Sequence, residues 1–259
     1  MTCDLSLVIP HYNESGRLHL MEDGIIEFAK ATSGKDLTVE VLLIDDGSRD
    51  KTLSGLKKIA DGFPGRHGMA PEAFSLRAIA LEQNSGKGAA LQRGVAEASG
   101  NRILTLDADM AARPVEILQW QANGHVDLKS SPDNHVHIGS REDPDSNVTD
   151  RSTRRIMGRV FNFITRMLSG LPLHDTQCGF KLYPRPLAQD VFPRLIHTGW
   201  AHDVEILMRL QRLNADIHSL PVRWVAIEGS KIHPIKDAWK MFCALLEIRS
   251  GLKKEDVRQ

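Results

Sequence analysis

The sequence predicts an α/β protein, a mostly parallel sheet flanked by helices, and three observations carry that prediction. Short apolar, β-branched runs such as Leu5-Ser6-Leu7-Val8-Ile9 and Val39-Glu40-Val41-Leu42-Leu43-Ile44 have the length of buried strands. Stretches with helical apolar spacing alternate with them, the βαβ rhythm of a parallel sheet. The strands run out into polar, acidic turns at their carboxyl ends, where an open sheet of this class keeps its ligand.

In chain order, Pro10 closes the first strand and the loop His11-Tyr12-Asn13-Glu14-Ser15-Gly16 follows. A helix through Leu18, Met21, Ile25 and Phe28 packs back, and the second strand ends in Asp45-Asp46-Gly47-Ser48. Asp50 or Ser48 can cap a helix from Thr52 to Ala60. The Gly- and Pro-rich stretch Gly62 to Ala73 reads as a surface loop before a strand from Leu76 to Leu81. Asn84-Ser85-Gly86-Lys87-Gly88 then opens a helix, and backbone amides at such a start suit a phosphate. It is not a Walker A loop, because Gly88 stands where Ser or Thr is required.

The strand Arg102 to Leu106 opens into Asp107-Ala108-Asp109, whose carboxylates, two residues apart, can converge just past the strand end. Like charges that close repel, so the pair suits a divalent cation, and all-oxygen donors favour Mg2+ or Mn2+ over zinc. A solvated turn, with Asp109 capping a helix begun by Pro114, fits this stretch equally. That helix is expected from Pro114 to Asn123, a strand from Val136 to Arg141, and a flexible loop from Glu142 to Asp150. From Ser152 to Leu168 an apolar helical stripe carries Arg154, Arg155, Arg159 and Arg166 with no acid among them; it is either a core helix with a basic face or a helix lying on an anionic membrane. His174 to Tyr183 is a polar turn entering a short strand. Asp203, heading the next helix, is either its N-cap or an acid in the cleft. Val222 to Val225 is a last strand, Glu228-Gly229-Ser230-Lys231 a turn able to grip a phosphate, and Asp237 to Ser250 a final amphipathic helix.

Composition narrows the classes. The 259 residues fit one large domain. Lys and Arg (33) balance Asp and Glu (33), so no global field draws the chain to nucleic acid. Cys3, Cys178 and Cys243 are scattered, which points to a reducing compartment, and neither His174 nor Cys178 has partners at zinc or triad spacing. With no secretory signal and no apolar run near roughly 18 residues, the expectation is a cytoplasmic protein or one peripheral on the cytoplasmic face of a membrane.

Taken together, Pro10-His11-Tyr12-Asn13-Glu14, Asp45-Asp46-Gly47-Ser48, Asn84-x-Gly86-Lys87-Gly88, Asp107-Ala108-Asp109, Gly139-Ser140-Arg141, Asp175-Thr176-Gln177-Cys178-Gly179-Phe180-Lys181-Leu182 and Gly229-Ser230-Lys231 resemble family 2 glycosyltransferases. Within it they look most like the dolichyl-phosphate β-glucosyltransferases and other polyprenyl-phosphate sugar synthases. The resemblance runs from Leu5 to about Ser250 and implies a GT-A fold with a C-terminal, acceptor-side elaboration. It divides the single domain into a nucleotide-sugar half (1–112), an acceptor and membrane half (113–250) and a tail (251–259).

By resemblance, Pro10, Tyr12 and Glu14 surround the nucleotide, Asp45 meets the base, Asp46 belongs to the donor-binding set, and Lys87 lies near the nucleotide end. Asp107 and Asp109 hold the metal on the donor diphosphate, with Gln177 close to the donor. Arg141, Arg155, Lys181 and Lys231 supply positive charge around the donor and acceptor phosphates. The implied reaction is inverting transfer of a hexose, glucose from UDP-glucose, to a polyprenyl phosphate, with Mg2+ or Mn2+ as cofactor and room for a separate membrane-anchor partner. A phosphate acceptor is already ionised at neutral pH and needs no general base; a hydroxyl acceptor needs one, and Asp203 is the candidate. Two departures stand out: Met110-Ala111 replaces the metal-binding Gln of mannose synthases, and His202 stands where glucosyl-type enzymes carry Phe. Three other readings compete with it. A haloacid-dehalogenase-type phosphatase wants Thr or Val at Ala111; a sugar nucleotidyltransferase wants a Gly-rich, Arg-bearing loop at His11 to Glu14; an inactive membrane-binding module does not need the intact acids.

Overall fold

Leu5, Leu7 and Ile9 pack into one apolar cluster and Val8 into another, so the first strand is covered on both faces. The same split, Val41 and Leu43 against Leu42 and Ile44, repeats in the second. The computed structural model describes residues 3–130, 133–149, 165–199, 201–226 and 234–256. Its strands are β1 Leu5–His11, β2 Val39–Asp45, β3 Phe74–Ala80, β4 Arg102–Thr105, β5 His135–Ser140, β6 Asn147–Thr149, β7 Lys181–Pro184, β8 Asp216–Pro221 and β9 Arg223–Val225. Its helices are α1 Leu18–Thr32, α2 Thr52–Ala60, α3 Phe63–Arg66, α4 Lys87–Glu97, α5 Glu116–Ala122, α6 Arg185–Val191, α7 His202–Arg212 and α8 Pro234–Asp256.

A seven-stranded sheet runs β3-β2-β1-β4-β7-β5-β8. The pairs β1–β2, β2–β3, β1–β4 and β5–β8 are parallel, and β7 alone runs against its neighbours β4 and β5. β1, β2 and β4 therefore all deliver their carboxyl ends, at His11, Asp45 and Thr105, to one edge of the sheet. Trp120 on α5 packs edge-on against Phe180 and donates its indole N–H to the Pro221 carbonyl, tying that helix to the far half of the sheet.

Several boundaries differ from the sequence reading, each for a local reason. β4 ends at Thr105, although the Leu106 amide still donates to the Val8 carbonyl. The expected loop 62–73 contains α3, started at Phe63-Pro64 after Gly62 in the left-handed region. β6 lies within the loop expected from 142 to 150 and pairs with β9 through three residues a side. β8 is not expected from the sequence; its Asp216, His218 and Ser219 leave no apolar run of the kind that marks β1 and β2. The final helix is longer than expected, Pro234–Asp256. The basic helix expected from Ser152 lies outside the described residues up to 164, and 165–169 is helical. Among the described residues no helix is long and apolar enough to cross a membrane.

His11, at the end of β1, is 2% exposed, takes an Ile9 carbonyl contact at Nδ1 and has no partner for Nε2 among the described residues. Burial pushes its pKa down to about 4. Because the folded value lies below the unfolded one, the unfolded chain binds the proton first, and stability is lost as pH falls from about 6.5 towards 4. At pH 5 this group should cost about 2 kcal/mol of unfolding free energy relative to pH 7. Urea titrations at the two pH values should show a loss smaller by about that amount in His11→Gln than in the parent; an equal loss in both would contradict it.

Candidate active site

The loop carrying Lys87 is fastened to the end of β2. Asp46 accepts from the Asn84 side-chain amide (2.9 Å), the Ser85 amide (2.8 Å) and the Gly86 amide (2.9 Å). Close approach is possible because Gly47 has no side chain: a Cβ there would lie 2.4 Å from the Gln83 backbone, and its φ is +64°. On the other side, the Gly88 amide donates to the Thr198 carbonyl at 2.7 Å. So Asp46, expected among the donor-binding residues, is occupied with holding the loop. Asp45 differs: 1% exposed, it accepts from the Ser48 amide through Oδ2, while Oδ1 has no donor among the described residues.

Lys87 Nζ donates to Asp107 Oδ1 at 2.6 Å. Burial would lower the lysine pKa, but Asp107, Asp203 and Asp109 together raise it, so the ammonium stays charged. Asp109 accepts from the Ala111 amide at 3.0 Å; burial first and then the charge of Asp107 raise its carboxyl pKa. An acid whose charge is disfavoured in this way marks a place where an added cation is welcome, and its oxygen donors fit Mg2+ or Mn2+. Among the described residues no third His, Cys, Asp or Glu joins the two acids.

Asp107 also leans on the strand-entry turn. A Cβ on Gly179 would lie 2.4 Å from Asp107 Oδ2, so the glycine in Cys178-Gly179-Phe180 is what allows the carboxylate its position. Gly179→Ala should keep the fold, because the clash falls on one side chain, yet slow by about tenfold or more any reaction that uses the Asp107 carboxylate, through its displacement. Steady-state rates beside circular dichroism check this, and parent-like rates would contradict it.

Deeper in the cleft, Lys181 Nζ is buried at β7, donating to Asp203 Oδ1 (2.5 Å) and the Cys178 carbonyl (2.6 Å). Expected beside a phosphate, Lys181 is placed instead against a carboxylate, because the inward face of β7 meets the first turn of α7. Asp203 does not cap that helix: the N-cap is Ala201 and no side-chain cap bond forms. Burial would push the Asp203 carboxyl up, but His202, Lys181 and Lys87 overcome it and hold it well below the usual carboxylate range. Burial keeps His202 itself neutral, so at neutral pH the two ammoniums carry that effect.

Arg141 at the end of β5 is clamped by Asp175, with Nε to Oδ2 at 2.7 Å, an Nη to Oδ1 at 2.8 Å, and its own amide to Oδ2 at 3.0 Å. Asp175 is 1% exposed, and the Trp224 ring lies 5.5 Å from the guanidinium carbon. Burial works against the charge of Arg141, and Asp175 more than restores it. Sequence reasoning missed Asp175 and Trp224 as partners of Arg141; the only available signal was the acid opening the Asp175-Thr176-Gln177 turn, where Asp175 also accepts from the Gln177 amide. At the other rim, Pro10 lies within β1, Tyr12 is 40% exposed, and Glu14 pairs with Arg17 at 2.7 Å. Arg155 and Lys231 lie outside the described residues. Cys178 is buried with its thiol pushed up to about 11, unreactive at neutral pH.

A sequence profile described as "Glycosyl transferase family 2" matches residues 6–192, well over half of the chain. This chain belongs to that family. The glycosyltransferase is 35% identical over 250 residues to a dolichyl-phosphate beta-glucosyltransferase of Dictyostelium discoideum, covering 95% of this chain and 73% of the relative. Against the human dolichyl-phosphate beta-glucosyltransferase it is 34% identical over 253 residues, covering 96% and 75%. Among solved structures, its fold matches Mycobacterium tuberculosis glucosyl-3-phosphoglycerate synthase in complex with Mn2+, UDP-glucose and glycerol 3-phosphate, with TM-score 0.62, 19% identity and coverage of 95% and 80%. Mannosyl-3-phosphoglycerate synthase from Rubrobacter xylanophilus matches with TM-score 0.59, 19% identity and coverage of 98% and 75%. The expected GT-A architecture is thus the one this glycosyltransferase has.

Proposed function

We propose that this glycosyltransferase moves glucose from UDP-glucose to a polyprenyl or dolichyl phosphate with inversion at the anomeric carbon. The donor sugar has the support of the relatives' names and of the UDP-glucose in the matched structure's title. The observation that carries the acceptor is the state of Asp203. A carboxylate locked to Lys181 and held far below its usual pKa is a poor proton acceptor, so the site favours a nucleophile that arrives ionised, as a phosphate monoester does.

In this reading Asp107 and Asp109 hold Mg2+ or Mn2+, which when bound supplies Lewis-acid stabilisation of charge on the leaving diphosphate. Lys87, now paired with Asp107, adds a second cation on the same side. Asp45 offers its unpaired Oδ1 to an N–H of the base, with Pro10, Tyr12 and Glu14 around the nucleotide and Gln177 near the donor. Asp46 acts by holding the Lys87 loop. Arg141, pre-set by Asp175, is assigned to the acceptor phosphate, as the resemblance also assigns Arg155 and Lys231, while Lys181 and Asp203 form a fixed, buried ion pair. Such an acceptor places the enzyme peripherally on the cytoplasmic face of a membrane, and the exposure of Met167 (68%) and Trp239 (67%) supports contact with lipid or with a separate anchoring partner.

The test is a donor screen with a polyprenyl phosphate, following products by mass spectrometry and anomeric configuration by NMR. A β-linked hexosyl phosphate lipid formed from UDP-glucose is the expected product. Preference for another nucleotide sugar overturns the donor assignment, and an α-linked product overturns inversion.

A further inference from the structure

At the other end of the sheet, β5 and β8 begin side by side with His135 opposite Asp216 and His137 opposite His218. Residues two apart on a strand share a face, so the pairing gathers three imidazoles and a carboxylate on one patch. Through β7, His137 and Leu104 share the level of Leu182, which sets His135 at the level of Arg102. Asp107 lies five residues beyond Arg102 in the same strand direction, roughly 16 Å away. The patch is therefore separate from the sugar-diphosphate seat.

Three of its atoms form a nearly equilateral triangle. His135 Nδ1 is 3.2 Å from Asp216 Oδ2, His218 Nε2 is 3.1 Å from the same oxygen, and the two nitrogens are 3.1 Å apart. Hydrogen bonding cannot satisfy all three edges. A neutral imidazole nitrogen has either one proton or one lone pair, so two N–H groups aimed at one oxygen bring their protons together. A tetrahedral zinc ion with ligands at about 2.0–2.1 Å has ligand atoms about 3.3 Å apart, close to the spacing seen.

A cavity of about 380 Å³ lined by His135, His137, His218 and Arg102 adjoins the triangle and leaves room for a water or small anion as fourth ligand. His137 is 6% exposed, lies stacked with His218 at 5.4 Å, and has a buried Nδ1 with no partner among the described residues. It is a polar group on the wall of that cavity.

We propose that His135, Asp216 and His218 form a second metal site, for Zn2+ or another late first-row divalent ion, stapling edge strand β8 to β5. Two nitrogens and one oxygen are a borderline donor set, which selects such ions over the Mg2+ or Mn2+ suited to Asp107 and Asp109. A bound ion joins the two strands in the folded state only, so it also raises the melting temperature in proportion to its saturation.

The test titrates the full chain with Zn2+ by calorimetry and with Co2+ by visible absorption, both in excess Mg2+ to fill the diphosphate seat. One equivalent is expected to bind, with the intense visible band of a tetrahedral cobalt site. Affinity should drop by about tenfold or more in His218→Ala and in His135→Gln, with Mg2+-supported transfer unchanged in both. His135, Asp216 and His218 are 47%, 57% and 42% exposed at their side chains, so these variants keep the fold, which circular dichroism verifies. Equal affinity in parent and variants, no saturable binding, or displacement of Zn2+ by Mg2+ would each overturn the site. None of these outcomes bears on the transferase reading, which involves other residues.

Discussion

Asp109→Asn should reduce metal-supported sugar transfer by about 10³-fold or more while leaving the protein at least as stable as the parent. The two halves of that result come from one cause. Burial and the neighbouring charge of Asp107 raise the Asp109 carboxyl pKa, so the folded protein disfavours this charge when no cation is present. Replacing it with an amide of the same shape removes the repulsion and costs the fold nothing. In the proposed site it also removes one of the two carboxylates assigned to the metal, with no third His, Cys, Asp or Glu beside them among the described residues. Losing stabilisation of the leaving diphosphate costs several kcal/mol of barrier, about 4 for 10³-fold. Transfer rates across a Mn2+ titration, with melting temperatures alongside, check both parts. Parent-like rates would remove Asp109 from the site, and inactivity accompanied by a large fall in melting temperature would assign it a structural role.

Lys181→Met should be the most destabilising single change at the site, by about 3–5 kcal/mol. The substitution leaves Asp203, 7% exposed, without its closest counter-ion, and leaves the Cys178 carbonyl without its ammonium donor. For a chain of this size that corresponds to a melting-temperature drop on the order of 10 °C. Lys181→Met with Asp203→Asn should recover much of the loss, because removing both charges also removes the cost of burying one alone. A double-mutant cycle by urea unfolding measures the coupling, and a value near zero would contradict a buried pair. The sign with pH follows from the depressed folded pKa of Asp203. The pair's contribution is fully present above the unfolded value of about 3.9 and is lost only as pH falls through the lower folded value.

Much of this arrangement was legible before any coordinates. The buried strands β1, β2 and β4 announce themselves because each carries a short apolar, β-branched stretch buried on both faces, and the acids after them follow from the turn residues. β8 was illegible because an edge strand carrying Asp216, His218 and Ser219 has neither an apolar run nor a clean alternation, and three-residue β6 is too short to leave a pattern. Side-chain partners were the larger gap. Lys181 and Asp203 are 22 residues apart, and Arg141 and Asp175 are 34 apart; each pair meets only through sheet and helix packing. A sequence supplies charges but not their mates. Lys181 therefore looked like a phosphate ligand when its ammonium is already committed, and Asp203 looked like a cap or a base when it is a locked anion.

An acceptor that brings its own charge should be distinguishable from one that does not in a single pair of reactions. The same preparation is given UDP-glucose and Mn2+ with either a polyprenyl phosphate or the matching polyprenol, and hexosylated lipid is quantified by mass spectrometry. Product from the phosphate and none above background from the alcohol is the expected result. Equal or faster transfer to the alcohol would contradict it, since such a reaction needs a base that Asp203, tied to Lys181, does not supply.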